Sequence, residues 1–160
     1  MSDADFFADR ERVIARLDTS FAKFVPHNRA LGMSFVDWAP GEATMKLAWR
    51  EDLVGDPDTG VLHGGVVMSL LDAACGICVF FRTKEPVPVA TLDLRVDYLR
   101  AATPRRDVFA RATCTRATRH VAFVRAVAYH DAPDDPIATA AGAFMVRTKG
   151  RAAFGEEGQE

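Results

Sequence analysis

The long apolar run TGVLHGGVVMSLLDAACGICVFF, residues 59–81, constrains the fold more than any other part of this sequence. It predicts a turn followed by a helix from about Gly64 to about Phe81, apolar on nearly every side. Such a helix has to be buried in a protein core or in a membrane. One carboxylate, Asp72, lies near its middle, where an unpaired charge is costly. The rest of the chain has to cover the helix and account for Asp72.

The sequence disfavours a membrane protein. About 18 residues is the short end of what spans a bilayer, and a central Asp adds about 3 kcal/mol to the cost. The formal net charge of −2 also argues against a general nucleic-acid binder. The first twelve residues, MSDADFFADRER, lack the basic and apolar segments of a secretory signal. We therefore expect a cytoplasmic protein with neither membrane nor nucleic-acid partners.

The three cysteines, Cys75, Cys78 and Cys114, are an odd number and do not form the pattern of a disulfide framework. Cys75 and Cys78 have the spacing of a redox motif or of half a zinc site, but the sequence contains no second pair. Both lie inside the apolar run. We therefore expect them to be small buried hydrophobic residues, and we expect no metal site.

The segments before the apolar run predict a helix and two strands. Residues 3–24 have the apolar spacing of a surface helix, which Pro26 should end. MSFVDWAPGEATMKLAW predicts two strands joined through Pro40-Gly41, and REDLVGDPDTG predicts a loop. The apolar residues of the first helix are Phe6, Val13, Leu17, Phe21 and Phe24.

After the long helix the sequence predicts only strands. ATLDLRVDYLR alternates Leu92, Leu94, Val96 and Tyr98 with polar residues, as a half-buried strand does. DVFARATCTRA, HVAFVRAVAYH and IATAAGAFMVRT predict three more. Short connections favour antiparallel pairing, so we expect an α+β fold with one antiparallel sheet wrapped around the long helix. We expect an N-terminal helical extension over residues 1–28, one domain over 29–149 and a flexible acidic tail over 150–160.

The start of the long helix gives Asp72 a possible role. Asp72 is too deep in the helix to be a cap, and residues 64–81 contain no basic partner, although a distant Arg could pair with it. His63, Gly64 and Gly65 stand at the start, where unpaired N–H groups and the positive end of the helix dipole meet. Two glycines allow a ligand to approach the backbone, although they could also serve tight helix packing. This arrangement suits a carbonyl that gains negative charge.

LHGGVVMSLLDAA, followed by ATLDLRVDYLRAATP, resembles the hotdog-fold acyl-CoA thioesterases of the phenylacetate-degradation (PaaI-like) type over roughly residues 30–147. The resemblance implies a six-stranded antiparallel sheet around a long helix. It implies a homodimer, or a dimer of dimers, that hydrolyses acyl-CoA thioesters with no metal and no cofactor, coenzyme A being part of the substrate.

By position, the resemblance also implies roles for residues of the site. Asp72 would be the catalytic carboxylate, as general base or nucleophile, and the Gly64 N–H would polarise the thioester carbonyl. His63 would brace the turn, and the Thr91 hydroxyl would help to orient the attacking water. Gly65 and Met68 would line the substrate site.

Asp56 departs from the family pattern, because relatives commonly have an Asn in this loop whose amide assists at the thioester. An ionised carboxylate cannot donate a hydrogen bond, and it adds negative charge near a developing oxyanion. Asp56 could instead only shape the turn before Pro57. The departure leaves open a non-catalytic acyl-CoA sensor. A hotdog dehydratase or hydratase is a further alternative, but the sequence contains no H-x-x-G-x-P-x-x-P-G loop.

Residues 100–125 contain seven arginines and one acid, Asp107. Guanidinium groups suit phosphates, and coenzyme A is polyanionic. We expect Arg100 and either Arg105 or Arg106 to contact these phosphates, although arginines at strand edges can also serve as solvated charge.

Overall fold

The structure is a computed structural model that describes residues 10–83 and 87–147. Two helices precede the sheet, and a long helix follows the first four strands. The elements are α1 (Arg10–Phe24), α2 (Pro26–Leu31), β1 (Met33–Ala39), β2 (Glu42–Leu47), β3 (Val54–Asp56), β4 (Val61–Leu62), α3 (Gly64–Thr83), β5 (Val89–Tyr98), β6 (Val108–Ala117), β7 (Val121–Tyr129) and β8 (Pro136–Val146).

Six strands form one antiparallel sheet in the order β1-β2-β6-β7-β8-β5. This confirms the predicted sheet and the predicted hairpin, in which Gly41 turns the chain with a φ of 77°. The remaining strands, β3 and β4, pair only with each other. Strand β5 follows the long helix in sequence but lies at the edge of the sheet, beside β8.

Helix α3 packs on one face of the sheet, as predicted, and extends two residues beyond Phe81. Alanines at inward positions of β6, β7 and β8 allow the helix to approach closely, and Cys75 and Cys78 are buried against the sheet as expected. Burial raises the pKa of both thiols. By length and composition Gly64–Thr83 could cross a membrane, but 56% of its most apolar window is buried inside the protein, as in a core helix.

The N-terminal segment differs from the prediction at Pro26. Helix α1 ends at Phe24, but Pro26 begins a second helix, α2. Proline is tolerated at the first helical position because its missing N–H would have no partner there. Val13 and Leu17 of α1 are buried in the core, as the periodicity indicated. The predicted helical residues 3–9 and the acidic tail at 150–160 lie outside the described residues.

Strand β5 is less buried than its alternating pattern indicated. Leu94 and Val96 pack against the core, but the side chains of Leu92 and Tyr98 are each 51% exposed. An edge position gives β5 only one neighbouring strand, and a bulge between Thr91 and Asp93 interrupts the alternation.

The bulge depends on Gly142 of β8. A Cβ at this position would lie 2.5 Å from the backbone oxygen of Asp93 and 3.0 Å from Leu94 Cδ1. A backbone atom cannot move aside as a flexible side chain can. Gly142 therefore allows β5 to approach β8 at the bulge, next to Thr91.

We expect Gly142→Ala to lower the free energy of unfolding by about 1–3 kcal/mol, because the added methyl forces the two strands apart. Gly76→Ala is the matched control, since its Cβ would lie 3.9 Å from Phe144 Cε1, an ordinary contact. That change should leave stability unaltered or raise it by up to about 1 kcal/mol, because alanine favours a helix. Urea denaturation measures both, and equal stabilities of Gly142→Ala and wild type would contradict the assignment.

Candidate active site

The start of α3 is held by His63. The Gly65 N–H donates to His63 Nδ1 over 3.0 Å, so the imidazole caps the helix. The His63 N–H donates to the Leu53 carbonyl over 3.0 Å, and the His63 carbonyl accepts from the Val66 N–H over 2.9 Å. These bonds hold the turn into α3, and the bracing role that the resemblance implies for His63 stays a prediction.

The Gly64 N–H has no hydrogen-bond acceptor in the described part of the chain, residues 10–83 and 87–147. On the other side of Gly64, the Tyr98 hydroxyl donates to the Gly64 carbonyl over 2.7 Å. Burial raises the pKa of Tyr98, which keeps this hydroxyl protonated as a donor. The amide at the positive end of α3 is thus free and held in a fixed orientation.

Asp72 and Thr91 meet across the gap between α3 and β5. The Thr91 hydroxyl donates to Asp72 Oδ1 over 2.7 Å, which leaves Oδ2 for another donor. Asp72 is half-buried, because one side of α3 is not covered in the single chain. Gly65, Met68 and Asp72 lie on this side at helical spacing, and we call it the open face of α3.

The open face corrects the expectation that α3 is buried all round. Met68 is 42% exposed, whereas Phe80 and Phe81 are buried in the core. Composition alone does not distinguish these residues, because all of them are apolar. A core helix and a helix with one uncovered strip have nearly the same composition here.

Asp56 shapes the loop before α3. Its Oδ1 accepts from the Asp58 N–H over 3.1 Å, and its Oδ2 accepts from the Thr59 hydroxyl over 2.8 Å. These bonds, first that from Thr59, lower the pKa of Asp56. Both oxygens are therefore engaged in the turn, which favours the turn-shaping alternative.

Two of the three arginines expected to contact phosphates pair with acids of the chain. Arg100 forms an ion pair with Asp135 at 2.8 Å, and Arg106 forms one with Asp131. The side chain of Arg105 is exposed and has no partner within the described part of the chain. Arg100 also lines a pocket of about 260 Å³ beside Gly64. The pocket is further lined by Val61, Leu62, Val67, Tyr98, Leu99, Ala101, Ala102 and Ile137.

The sequence analysis missed two residues that support this site. The sequence placed Tyr98 only among the apolar residues of β5. Its hydroxyl, at the end of the strand, could have indicated a hydrogen bond to another segment, and in the structure that partner is the Gly64 carbonyl. Gly55 allows the loop to lie against His63, because a Cβ there would be 2.9 Å from His63 Cα. A glycine in a predicted loop can indicate a close approach of two backbone segments, and this was the available sequence signal for Gly55.

Comparison with known proteins gives the class. A family model described as Thioesterase superfamily matches residues 59–137. The medium/long-chain acyl-CoA thioesterase YigI of Escherichia coli (strain K12) is 32% identical over 149 residues, which is 85% of this chain and 95% of YigI.

Solved structures share the fold. A Pseudomonas aeruginosa protein superimposes with a TM-score of 0.74 and 36% identity, over 82% of this chain and 97% of that one. A mutant of the phenylacetic acid degradation protein PaaI from Thermus thermophilus superimposes with a TM-score of 0.65 and 29% identity, over 75% of this chain and 97% of that one.

The sheet, the central helix and these matches define a hotdog-fold enzyme. This chain belongs to the thioesterase superfamily, as its resemblance to the PaaI-like thioesterases indicated.

Proposed function

We propose that this thioesterase hydrolyses acyl-CoA thioesters to the free acid and coenzyme A. The observation that carries the proposal is the pairing of a free helix N-terminal amide, at Gly64, with a carboxylate held by a hydroxyl, at Asp72 and Thr91. An amide donor and a positioned carboxylate are what acyl transfer to water requires. Similarity to YigI supports the substrate class.

In the proposed reaction, the Gly64 N–H donates to the thioester oxygen as negative charge develops there. Asp72 acts as a general base that removes a proton from the attacking water, or as the nucleophile itself. Thr91 holds Oδ1, so that Oδ2 faces the reacting atoms. The carbon–sulfur bond then breaks, and the thiolate of coenzyme A leaves and takes up a proton. If Asp72 is the nucleophile, this step leaves the acyl group on Asp72 as a mixed anhydride, which water hydrolyses to the free acid and the restored carboxylate.

One chain cannot supply both groups to one substrate. Gly64 and Asp72 are eight residues apart in α3, which places them about 12 Å apart along the helix axis. Both must lie near one thioester carbon, where reacting groups approach to about 3 Å. We therefore propose a homodimer with two sites, in which Gly64 of one copy faces Asp72 of the other.

The surface of the single chain supports this assembly. Strand β5 has a free backbone edge, which is suited to pairing with another strand. Four of the seven large apolar side chains that are exposed in the described residues lie on β5, just after it, or on the open face of α3. These four are Met68, Leu92, Tyr98 and Leu99. A second copy that pairs along β5 would cover them and would complete the surroundings of Asp72.

We place the coenzyme A moiety at the pocket beside Gly64 and the acyl chain along the open face of α3. Arg100 borders the pocket, and Arg105 and Arg106 follow in the same connection. The relative YigI is a medium/long-chain thioesterase, and the exposed apolar Met68 supports an apolar acyl chain here as well. We therefore propose medium- and long-chain acyl-CoA as substrates.

Release of free thiol from a panel of acyl-CoAs, followed with a thiol reagent, tests the function. We expect turnover of medium- and long-chain members. Binding of several acyl-CoAs without hydrolysis of any would favour the sensor and contradict the enzyme.

We also expect KM to rise with ionic strength. Exposed charges are screened within about 8–10 Å at moderate salt, so binding of coenzyme A through arginines weakens. A KM that is independent of salt would contradict the arginine assignment.

A further inference from the structure

His130 is a buried imidazole that the proposed chemistry does not use. It follows β7 directly, and only 6% of its surface is exposed. Its Nε2 accepts from the Thr103 N–H over 2.8 Å, and its Nδ1 bonds to the Asp107 carbonyl over 2.8 Å. A backbone N–H can only donate and a carbonyl can only accept. The ring therefore accepts at Nε2 and donates at Nδ1.

Both partners of His130 lie in the β5–β6 connection, residues 99–107. The β7–β8 connection, residues 130–135, also reaches this segment through the ion pairs of Asp131 with Arg106 and Asp135 with Arg100. Those two ion pairs are exposed, and exposed ion pairs contribute little to the stability of a protein. The imidazole of His130 is itself shielded from water, whereas Thr103 is exposed and Asp107 is half-buried. His130 is thus a buried side-chain tie between the two connections.

The β5–β6 connection forms one wall of the pocket beside Gly64. Residues 98–102 line the pocket, and Ala102 is buried directly before Thr103. The same connection includes Arg100, Arg105 and Arg106. A shift at Thr103 would therefore move both the wall of the pocket and the cations assigned to coenzyme A.

We propose that His130 is a positioning residue for the coenzyme A end of the substrate. It holds the Thr103 backbone and so sets the shape of the β5–β6 connection, without contact with the reacting atoms. This inference rests on the proposed function, because it assigns the connection to coenzyme A. Its signature is a change in KM and in coenzyme A affinity, with kcat preserved.

Two amide variants distinguish the hydrogen bond of Nε2 from the hydrogen bond of Nδ1. In His130→Gln the side-chain oxygen takes the place of Nε2 and still accepts from the Thr103 N–H. In His130→Asn the amide nitrogen takes the place of Nδ1, so the bond to Asp107 remains and the acceptor for Thr103 is lost. We expect His130→Asn to raise KM and the Kd of coenzyme A about tenfold, because the Thr103 backbone loses the hydrogen bond that holds it in place. His130→Gln should stay within about threefold of wild type, with kcat within about twofold in both variants.

Steady-state kinetics, calorimetric titration with coenzyme A and thermal denaturation provide the test. His120→Asn, an exposed histidine in the β6–β7 turn, is the control and should change nothing. Amide exchange of Thr103 should be faster in His130→Asn and unchanged in His130→Gln. Equal KM in His130→Asn and wild type would overturn the proposal, as would an equal rise of KM in both variants.

Two further results remain decisive. If His130→Asn does not fold, His130→Gln decides alone, and a tenfold rise of its KM overturns the proposal. If the wild type hydrolyses no acyl-CoA, the proposed function fails, but the Kd of coenzyme A still tests His130. A wild type that neither hydrolyses acyl-CoA nor binds coenzyme A overturns both.

Discussion

Asp72→Asn should lower kcat by about 10²- to 10⁴-fold, the usual effect of removing a positioned base. The change keeps the shape of the side chain, and the amide oxygen can still accept from the Thr91 hydroxyl. What is lost is the charge that, in the proposed reaction, removes a proton from water or attacks the thioester. KM should change little, because the contacts proposed for coenzyme A lie at the pocket beside Gly64 and do not involve Asp72. Thiol release at saturating acyl-CoA measures the effect.

Asp52→Asn is the control for the loss of one carboxylate. Asp52 is exposed and pairs with Arg50 at 2.7 Å, so its replacement should leave kcat unchanged. Thermal denaturation of the two variants separates catalysis from stability. A purely structural Asp72 would give a less stable protein with normal activity per folded molecule. Near-normal kcat in Asp72→Asn would refute its catalytic role.

The sequence predicted the parts of the fold that are local. Helix α3 begins at Gly64, as the glycines after His63 indicated, and its apolar run placed it in the core. The sequence predicted all six strands of the large sheet, β5 by its alternation and the others as strand-like segments separated by turn residues. Each of these signals lies within a few residues of the element that it predicts.

The remainder of the site depends on contacts between distant segments. The bond of Thr91 to Asp72 requires β5 to lie at the sheet edge with a bulge, which follows from the topology and from Gly142. Asp131 and Asp135 reach arginines 25 and 35 residues away in sequence, so the acids that pair with the arginine-rich segment lie outside it.

The second large effect is the recovery of activity by mixing two inactive variants. Asp72→Ala removes the carboxylate. Gly64→Pro removes the amide N–H at a first helical position, where proline is tolerated. Each homodimer should be nearly inactive, because each of its sites lacks one of the two groups. Circular dichroism and gel filtration of each variant alone establish that both still fold and assemble.

Refolding of an equal mixture of the two variants tests the shared site most directly. About half of the dimers should be hybrids, and each hybrid contains one intact site and one site that lacks both groups. Two different affinity tags allow the hybrids to be isolated and counted. The account predicts that the mixture regains about a quarter of wild-type activity, and that the purified hybrid has about half. Hybrids that form but show no more activity than the parent variants would contradict it.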